Sequence, residues 1–213
     1  MNLPTKITFS RIIATVILVV TLFVLSFFHN LALPTLGNTR INLIFLIVFV
    51  FFVIASYTDH LDGKLARKNN QVTNLGKFLD PVADKLLVNS MLIILAVPAF
   101  TGYALGTQTA HFPVICVIIM IVRDIVVDAL RFVAAQKGVV IAANIFGKLK
   151  TVLQMVAIGA VLLNDFPFHY LYPNNPYQGY LSVTMMLVYL ATFASLMSGI
   201  IYVIQNRKAF KEE

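Results

Sequence analysis

Six long apolar segments constrain the fold of this 213-residue chain more strongly than any other feature of its sequence. Each approaches the roughly 20 predominantly apolar residues with which an α-helix crosses the hydrocarbon core of a bilayer. The fifth segment is the shortest, so its helix is expected to begin earlier, near Ile145. The sequence therefore predicts an all-α integral membrane protein with six transmembrane helices, whose apolar segments are 12–28, 41–57, 86–105, 112–132, 151–164 and 180–204.

The composition excludes the main alternatives to a membrane protein. Hydrophobic residues make up 59% of the chain and charged residues only 12%, whereas charged residues are roughly 25% of an ordinary soluble domain. Such a chain has too little polar surface for a water-soluble globule, and it is too hydrophobic to be disordered. Because no repeat or linker divides it, residues 1–213 are expected to form a single membrane domain. Within it, residues 1–11 are expected to form a short juxtamembrane segment on the membrane surface.

The distribution of basic residues predicts the orientation of the chain. With six spans, 14 of the 16 Lys and Arg residues fall on one side of the membrane. Because cytoplasmic loops carry an excess of Lys and Arg, both termini are expected in the cytosol. Topology thereby explains most of the net charge of +7. The basic residues are scattered over loops and form no nucleic-acid motif, so no nucleic-acid partner is expected.

Four aspartates are grouped in the sequence and, under this topology, at one edge of the membrane. Asp59 and Asp62 are three residues apart and Asp80 and Asp84 are four apart, so each pair shares a helix face. The second apolar segment ends at the first pair, and the third begins just after the second pair. Both pairs are therefore expected at the cytosolic edge.

Carboxylates that converge at one depth repel one another unless a positive charge holds them together. Their oxygen atoms suit Mg²⁺, Mn²⁺ or Ca²⁺, as one ion or two. The alternative is that each aspartate is a solvated loop residue or pairs with a nearby lysine. Arg67 offers a charged fork that suits phosphate, and small residues leave room for a bulky ligand. The pattern indicates a site for a pyrophosphate-bearing substrate, in which the small residues are Gly63, Ala66 and Gly76.

The motif Asp-x2-Asp-Gly-x2-Ala-Arg-x8-Gly-x3-Asp-x3-Asp runs from Asp59 to Asp84 with all eight defining residues present. It resembles the signature of the CDP-alcohol phosphotransferases. Other parts of the chain resemble the branch of that family that makes phosphatidylglycerophosphate: residues 72–88, residues 1–4 with Thr8 and Arg11, residues 123–131 and residues 147–151. Thr5 and Asp124 depart from the Asn and Glu that are frequent in that branch.

The resemblance implies a bacterial cytoplasmic-membrane enzyme that transfers the phosphatidyl group of CDP-diacylglycerol to an alcohol and releases CMP. It also implies that Asp84 is the general base and that the chain forms a homodimer. The implied cofactor is Mg²⁺ or Mn²⁺, as two ions, with the ligands Asp59, Asp62, Asp80 and Asp84. The implied contacts of the CDP moiety are Asp59, Asp62, Gly63, Ala66, Arg67 and Gly76.

Four basic residues are candidates for binding an anionic acceptor, and glycerol 3-phosphate is the acceptor that the resemblance implies. A lone arginine at the depth of Arg123 is costly without a partner or a wet cavity. Each candidate also has a simpler interpretation: Asp124 pairs with Arg123, Asp128 pairs with Arg131, and the two lysines only orient the chain. The four candidates are Arg123, Arg131, Lys148 and Lys150.

Two other functions compete with this interpretation. A member of the same family with another acceptor, such as inositol phosphate or serine, would keep the same aspartate motif. A cation transporter would use the aspartates as its ion path, but it is expected to place acids near the bilayer midplane and to show broken helices or inverted repeats. The acids here are expected at the cytosolic edge, and the sequence shows no repeat. A transferase with its active site facing the cytosol is therefore the preferred hypothesis.

Overall fold

The computed structural model of the chain describes residues 3–27, 36, 39, 41–68, 74–97, 110–136, 145–171 and 181–206. Their regular structure is helical, which confirms the all-α class. A short 3-10 helix, Phe168–Leu171, precedes the last α-helix. The described residues form six α-helices, α1 (Leu3–Ser26), α2 (Leu43–Lys68), α3 (Asn74–Ala96), α4 (Val114–Gln136), α5 (Ile145–Leu162) and α6 (Val183–Asn206).

The helices pack as two groups that meet along one seam. In the first group, α1 packs against both α2 and α3. In the second group, α4 and α5 both pack against α6. Contacts of α3 with α4 and α5, and of α2 with α5, join the two groups. The motif helices α2 and α3 are therefore held between α1 on one side and the second group on the other.

Apolar side chains are distributed as expected for a helical membrane protein. The interior is filled by fully buried side chains from α2, α3, α5 and α6, among them Phe45, Leu92, Ile158 and Met185. Many other large apolar side chains point outward, which would be unfavourable in water but is favourable against lipid. They include Ile17, Phe23, Ile47, Ile54, Ile115, Ile125, Phe132, Val152, Leu190, Phe193 and Ile204.

Three of the described helices are long and apolar enough to cross a bilayer: Thr5–Leu25 in α1, Ile145–Leu162 in α5 and Val183–Asn206 in α6. A shorter apolar stretch, Leu43–Asp59, forms the N-terminal part of α2. By contrast, α3 and α4 carry charged residues within their helical turns, including Asp84 and Arg123. These features support a membrane protein, while six spans and two cytosolic termini stay predictions.

The bounds of α5 and α1 can be compared with those that the sequence predicted. The helix α5 begins at Ile145, where the sequence placed its start. At the N-terminus, residues 1–11 were expected to form a short juxtamembrane segment; of these, residues 3–11 form the first turns of the unbroken helix Leu3–Ser26, and their position at the membrane surface stays a prediction. This helix packs against α2 and α3 and carries four buried polar residues, Thr5, Thr8, Arg11 and Thr15.

Candidate active site

Three of the predicted metal ligands lie on helices that pack against each other. Asp59 lies in α2, and Asp80 and Asp84 lie one turn apart in α3. Both pairs of the motif fall within α-helices, as their three- and four-residue spacings predicted. We refer to Asp59, Asp80 and Asp84 as the acidic cluster.

Among the described side chains, the three acids of the acidic cluster outnumber the one basic residue that forms an ion pair with them, Arg11. Asp84 is partly buried and precedes the third apolar segment, which starts at residue 86. Burial raises the pKa of its carboxyl above the ordinary value, and the charge of Asp59 raises it further. Arg11 and then Lys150 act in the opposite direction. A divalent cation would favour the ionised carboxylates, and carboxylate oxygens are the kind of ligand that Mg²⁺ and Mn²⁺ prefer.

The remaining residues predicted for the donor site are described only in part. Gly76 lies in the first turn of α3. Among the side chains that the structure describes, no three His, Cys, Asp or Glu residues are arranged to hold a metal ion. The fourth predicted ligand is outside that set, so the metal site stays a prediction. The backbone of four other predicted residues belongs to α2, but their side chains and surroundings lie outside the description: Asp62, Gly63, Ala66 and Arg67.

The first helix contributes two side chains to the acidic cluster. The hydroxyl of Thr8 donates a hydrogen bond of 2.9 Å to Oδ1 of Asp80. The guanidinium of Arg11 forms an ion pair with Oδ1 of Asp59, and the Arg11 side chain is only 4% exposed. These contacts connect α1 to both motif helices.

A second group of charges lies on α4 and α5, and we refer to Arg123, Asp124 and Lys150 as the basic cluster. The Lys150 ammonium donates to both carboxylate oxygens of Asp124, at 2.7 and 2.6 Å. Nη1 of Arg123 donates to Oδ1 of Asp124 at 2.9 Å. The structure therefore confirms Asp124 as the partner of Arg123 and adds Lys150 as a second partner. Two cations share one carboxylate, so the basic cluster carries excess positive charge.

The helix α6 fixes the position of Arg123. A Cβ atom added at Gly199 would lie 2.8 Å from Cγ of Arg123, which is closer than such atoms approach in proteins. Glycine at this position therefore lets the stem of Arg123 pass against the helix. The Nε atom of Arg123 is buried and has no hydrogen-bond partner among the described residues. A buried donor of this kind needs an acceptor, so Arg123 is suited to an anionic ligand.

The other two candidates for acceptor binding lie outside the basic cluster. Nε of Arg131 donates to the Tyr202 hydroxyl at 3.2 Å, and its guanidinium lies 5.4 Å from the centre of the Tyr202 ring. Asp128, which the sequence offered as a partner for Arg131, forms an ion pair with Lys85 instead. Lys148 is exposed on the first turn of α5. The structure thus brings together two of the four predicted basic residues.

Asp84 lies on α3, which packs against both helices of the basic cluster, α4 and α5. Lys150 and Asp124 both contribute to the electrostatic environment of its carboxyl, with opposite effects on its pKa. The Asp84 carboxyl is thus influenced both by an acid of the acidic cluster, Asp59, and by the ammonium of Lys150 in the basic cluster. A carboxylate in this position is suited to accept a proton from a hydroxyl of a ligand bound beside the basic cluster.

Sequence reasoning assigned no site role to three contributors: Thr8 and Arg11, which it named only for the branch resemblance, and Gly199. A signal for the first two was present, because Thr8, Arg11 and Thr15 place polar atoms on one face of an otherwise apolar helix. For Gly199 no comparable signal exists, since a glycine in an apolar segment does not indicate which side chain packs against it.

The chain is similar to known proteins over nearly its whole length. A model of the CDP-alcohol phosphatidyltransferase family matches residues 1–202. The chain is 38% identical over 210 residues to the CDP-diacylglycerol–glycerol-3-phosphate 3-phosphatidyltransferase of Bacillus subtilis, covering 99% of this chain and 97% of that protein. It is 34% identical over 204 residues to the protein of that name from Haemophilus influenzae, covering 94% and 91%. It is 32% identical over 206 residues to CDP-diacylglycerol–glycerol-3-phosphate 3-phosphatidyltransferase 2 of Arabidopsis thaliana, covering 94% and 78%.

Proposed function

The chain belongs to the CDP-alcohol phosphatidyltransferase family, and on this premise we propose that it transfers the phosphatidyl group of CDP-diacylglycerol to glycerol 3-phosphate. The products are phosphatidylglycerophosphate and CMP. The names of the relatives from B. subtilis and H. influenzae state this donor and this acceptor. The observation that carries the proposal is the excess positive charge of Arg123 and Lys150 beside Asp84, because it suits an acceptor that bears a phosphate.

The acidic side of the site binds the donor. Asp59, Asp62, Asp80 and Asp84 would hold two Mg²⁺ or Mn²⁺ ions, and these would supply positive charge against the donor diphosphate. Arg67 adds a charged contact to that diphosphate. The small residues Gly63, Ala66 and Gly76 leave space for the CDP moiety against the backbone.

Asp84 receives the proton that the reaction releases. The acceptor hydroxyl loses its proton to the Asp84 carboxylate as its oxygen attacks the phosphorus that carries the diacylglycerol group. The bond between that phosphorus and the bridging oxygen breaks, and the electron pair leaves with CMP. Arg123 and Lys150 hold the acceptor phosphate so that its hydroxyl is close to the reacting phosphorus. Arg131 and Lys148 attract the acceptor at the outer edge of the site.

The membrane position of the site follows from its substrates. A lipid donor and a water-soluble acceptor meet only where the membrane borders the cytosol. We assign six transmembrane helices with both termini in the cytosol, in a bacterial cytoplasmic membrane, on the basis of the basic residues on that side. The functional unit is a homodimer, as in the family that the aspartate motif indicates.

The test is CMP release from CDP-diacylglycerol by the purified full-length chain in detergent. Glycerol 3-phosphate, inositol phosphate and serine are offered in turn, each with Mg²⁺, with Mn²⁺ or with excess EDTA. We expect release with glycerol 3-phosphate that EDTA abolishes and that Asp80→Asn lowers by at least about a hundredfold. Release with serine alone would change the acceptor assignment. Absence of release with every acceptor would contradict the transferase function.

A further inference from the structure

The first helix carries a polar face that neither the motif nor the transfer reaction explains. Thr8, Arg11 and Thr15 are buried on it, and all three lie in a stretch long and apolar enough to cross a bilayer. Polar groups in such a stretch are costly unless they have partners, and they mark functional positions. Two of them reach the acidic cluster, and the third bonds within its own helix.

We propose that Thr8 is a positioning residue for the cation site, which makes α1 a third wall of that site beside α2 and α3. The inference rests on the proposed function, because it takes Asp80 to be a metal ligand. Its basis is the 2.9 Å hydrogen bond from the Thr8 hydroxyl to Oδ1 of Asp80.

The geometry of this bond suits a supporting role. A carboxylate has about four lone-pair directions, so an oxygen that accepts one hydrogen bond keeps capacity for a cation. The bond restricts rotation of the carboxylate and leaves Oδ2 for coordination. Thr8 is 1% exposed, so water has little access to this position and does not readily take the place of the hydroxyl as donor to Asp80. Groups that orient a metal ligand in this way typically change metal affinity or activity by about 10- to 100-fold when they are removed.

The neighbouring contact strengthens the assignment of α1 to the site. Arg11 lies one turn after Thr8 and pairs with Asp59 on the other motif helix. The same face of α1 therefore contacts one acid of each pair. Two contacts one helical turn apart, to Asp80 on α3 and to Asp59 on α2, distinguish this face of α1 from one with an isolated surface hydrogen bond.

Direct Mn²⁺ binding tests the proposal without substrate. Electron paramagnetic resonance of free Mn²⁺ measures the dissociation constant for the full chain in detergent, in wild type, Thr8→Val and Thr8→Ser. Thr8→Val removes the hydroxyl at nearly constant volume, and we expect the dissociation constant to rise by about 10- to 100-fold. Thr8→Ser keeps the hydroxyl and is expected to stay within about threefold of wild type. A second readout is CMP release at saturating Mn²⁺, where the Thr8→Val rate is expected to recover.

Thr15→Val is the matched control. Thr15 is also 1% exposed on the same helix, but its hydroxyl donates to the backbone carbonyl of Arg11, at 2.8 Å. Its Mn²⁺ affinity is expected to equal that of wild type. If Thr8→Val does not fold, Thr8→Ala removes the same hydroxyl and is measured in its place.

The outcomes separate this inference from the proposed function. Wild-type Mn²⁺ affinity in the variants that lack the Thr8 hydroxyl would overturn the positioning role and leave the transferase intact. An equal loss in Thr15→Val would also overturn it, because the effect would then belong to the stability of α1. Absence of Mn²⁺ binding by wild type would contradict the metal site of the proposed function itself, and the positioning role with it.

Discussion

The acidic cluster on the first helix group and the basic cluster on the second carry opposite excess charge. In the first group, Arg11 pairs with one acid of a cluster that contains Asp59, Asp80 and Asp84. In the second group, the charges are reversed, because Asp124 alone is shared by Arg123 and Lys150. Among the side chains that the structure describes, each cluster thus contains fewer counter-charges than charges of its own sign. The difference separates two tasks: the first group suits cations and the donor diphosphate, and the second suits an anionic acceptor.

The largest effect is expected at Asp84. Asp84→Asn removes the group that receives the proton, and we expect kcat for CMP release to fall by about 10²- to 10⁴-fold. Asp128→Asn is the matched control, since Asp128 is an exposed acid that pairs with Lys85, and exposed pairs contribute little. Retention of more than a tenth of wild-type kcat in Asp84→Asn would assign the proton to another group.

The next effect separates the two clusters by substrate. Lys150→Met keeps the length of a buried side chain but removes its charge, and a hydrogen bond to a charged group contributes about 1.5–3 kcal/mol. We expect the KM for glycerol 3-phosphate to rise by about 10- to 100-fold, while the KM for CDP-diacylglycerol changes less than about twofold. Lys148→Met, at an exposed position two residues away, is expected to raise the acceptor KM by less than about fivefold. The reverse pattern, with the donor KM raised instead, would contradict the division between clusters.

A smaller effect tests the support of the basic cluster by α6. Gly199→Ala places a Cβ against Cγ of Arg123, and an off-rotamer side chain costs about 0.5–1.5 kcal/mol. The acceptor KM is expected to rise by about two- to tenfold, although alanine favours the helix itself. Ser198→Ala is the control, because the buried Ser198 hydroxyl donates to its own helix at the Ser195 carbonyl. An unchanged acceptor KM, measured by CMP release, would show that Arg123 does not depend on this contact.

The smallest effect is expected at the edge of the basic cluster. Tyr202→Phe removes the hydroxyl that accepts from Arg131 and keeps the ring beneath its guanidinium. Because Arg131 is exposed, we expect the acceptor KM to change by less than about threefold. Titration of glycerol 3-phosphate measures this directly, and a tenfold change would place Arg131 inside the acceptor site.

The sequence predicted those features that depend on neighbouring residues. Apolar runs located the helices, and the start of α5 at Ile145 was inferred from the shortness of the fifth apolar run. The spacing of the aspartates placed each pair on a helix before any packing was known. The pairing of Arg123 with Asp124 was one of two stated alternatives, because adjacent residues need no tertiary information.

The features that the sequence did not predict depend on packing between distant segments. Thr8 and Asp80 are separated by 72 residues, and Arg131 and Tyr202 by 71. Lys150 and Asp124 are separated by 26 residues and lie on different helices. Nothing in a single sequence ranks Asp124 above the other acids as the partner of Lys150. The rotation of each helix about its axis decides this, and packing sets that rotation.

The most direct test of the division between clusters compares a charged with an uncharged acceptor in one variant. CMP release is measured with glycerol 3-phosphate and with glycerol at high concentration, at saturating donor and Mn²⁺, in wild type and in Lys150→Met. Glycerol reports on the fold, the cations and the donor, and only glycerol 3-phosphate carries the phosphate. We predict that kcat/KM falls by about 10- to 100-fold for glycerol 3-phosphate and stays within about twofold for glycerol. An equal fall with both acceptors, or no fall with glycerol 3-phosphate, would contradict the assignment of acceptor binding to the basic cluster.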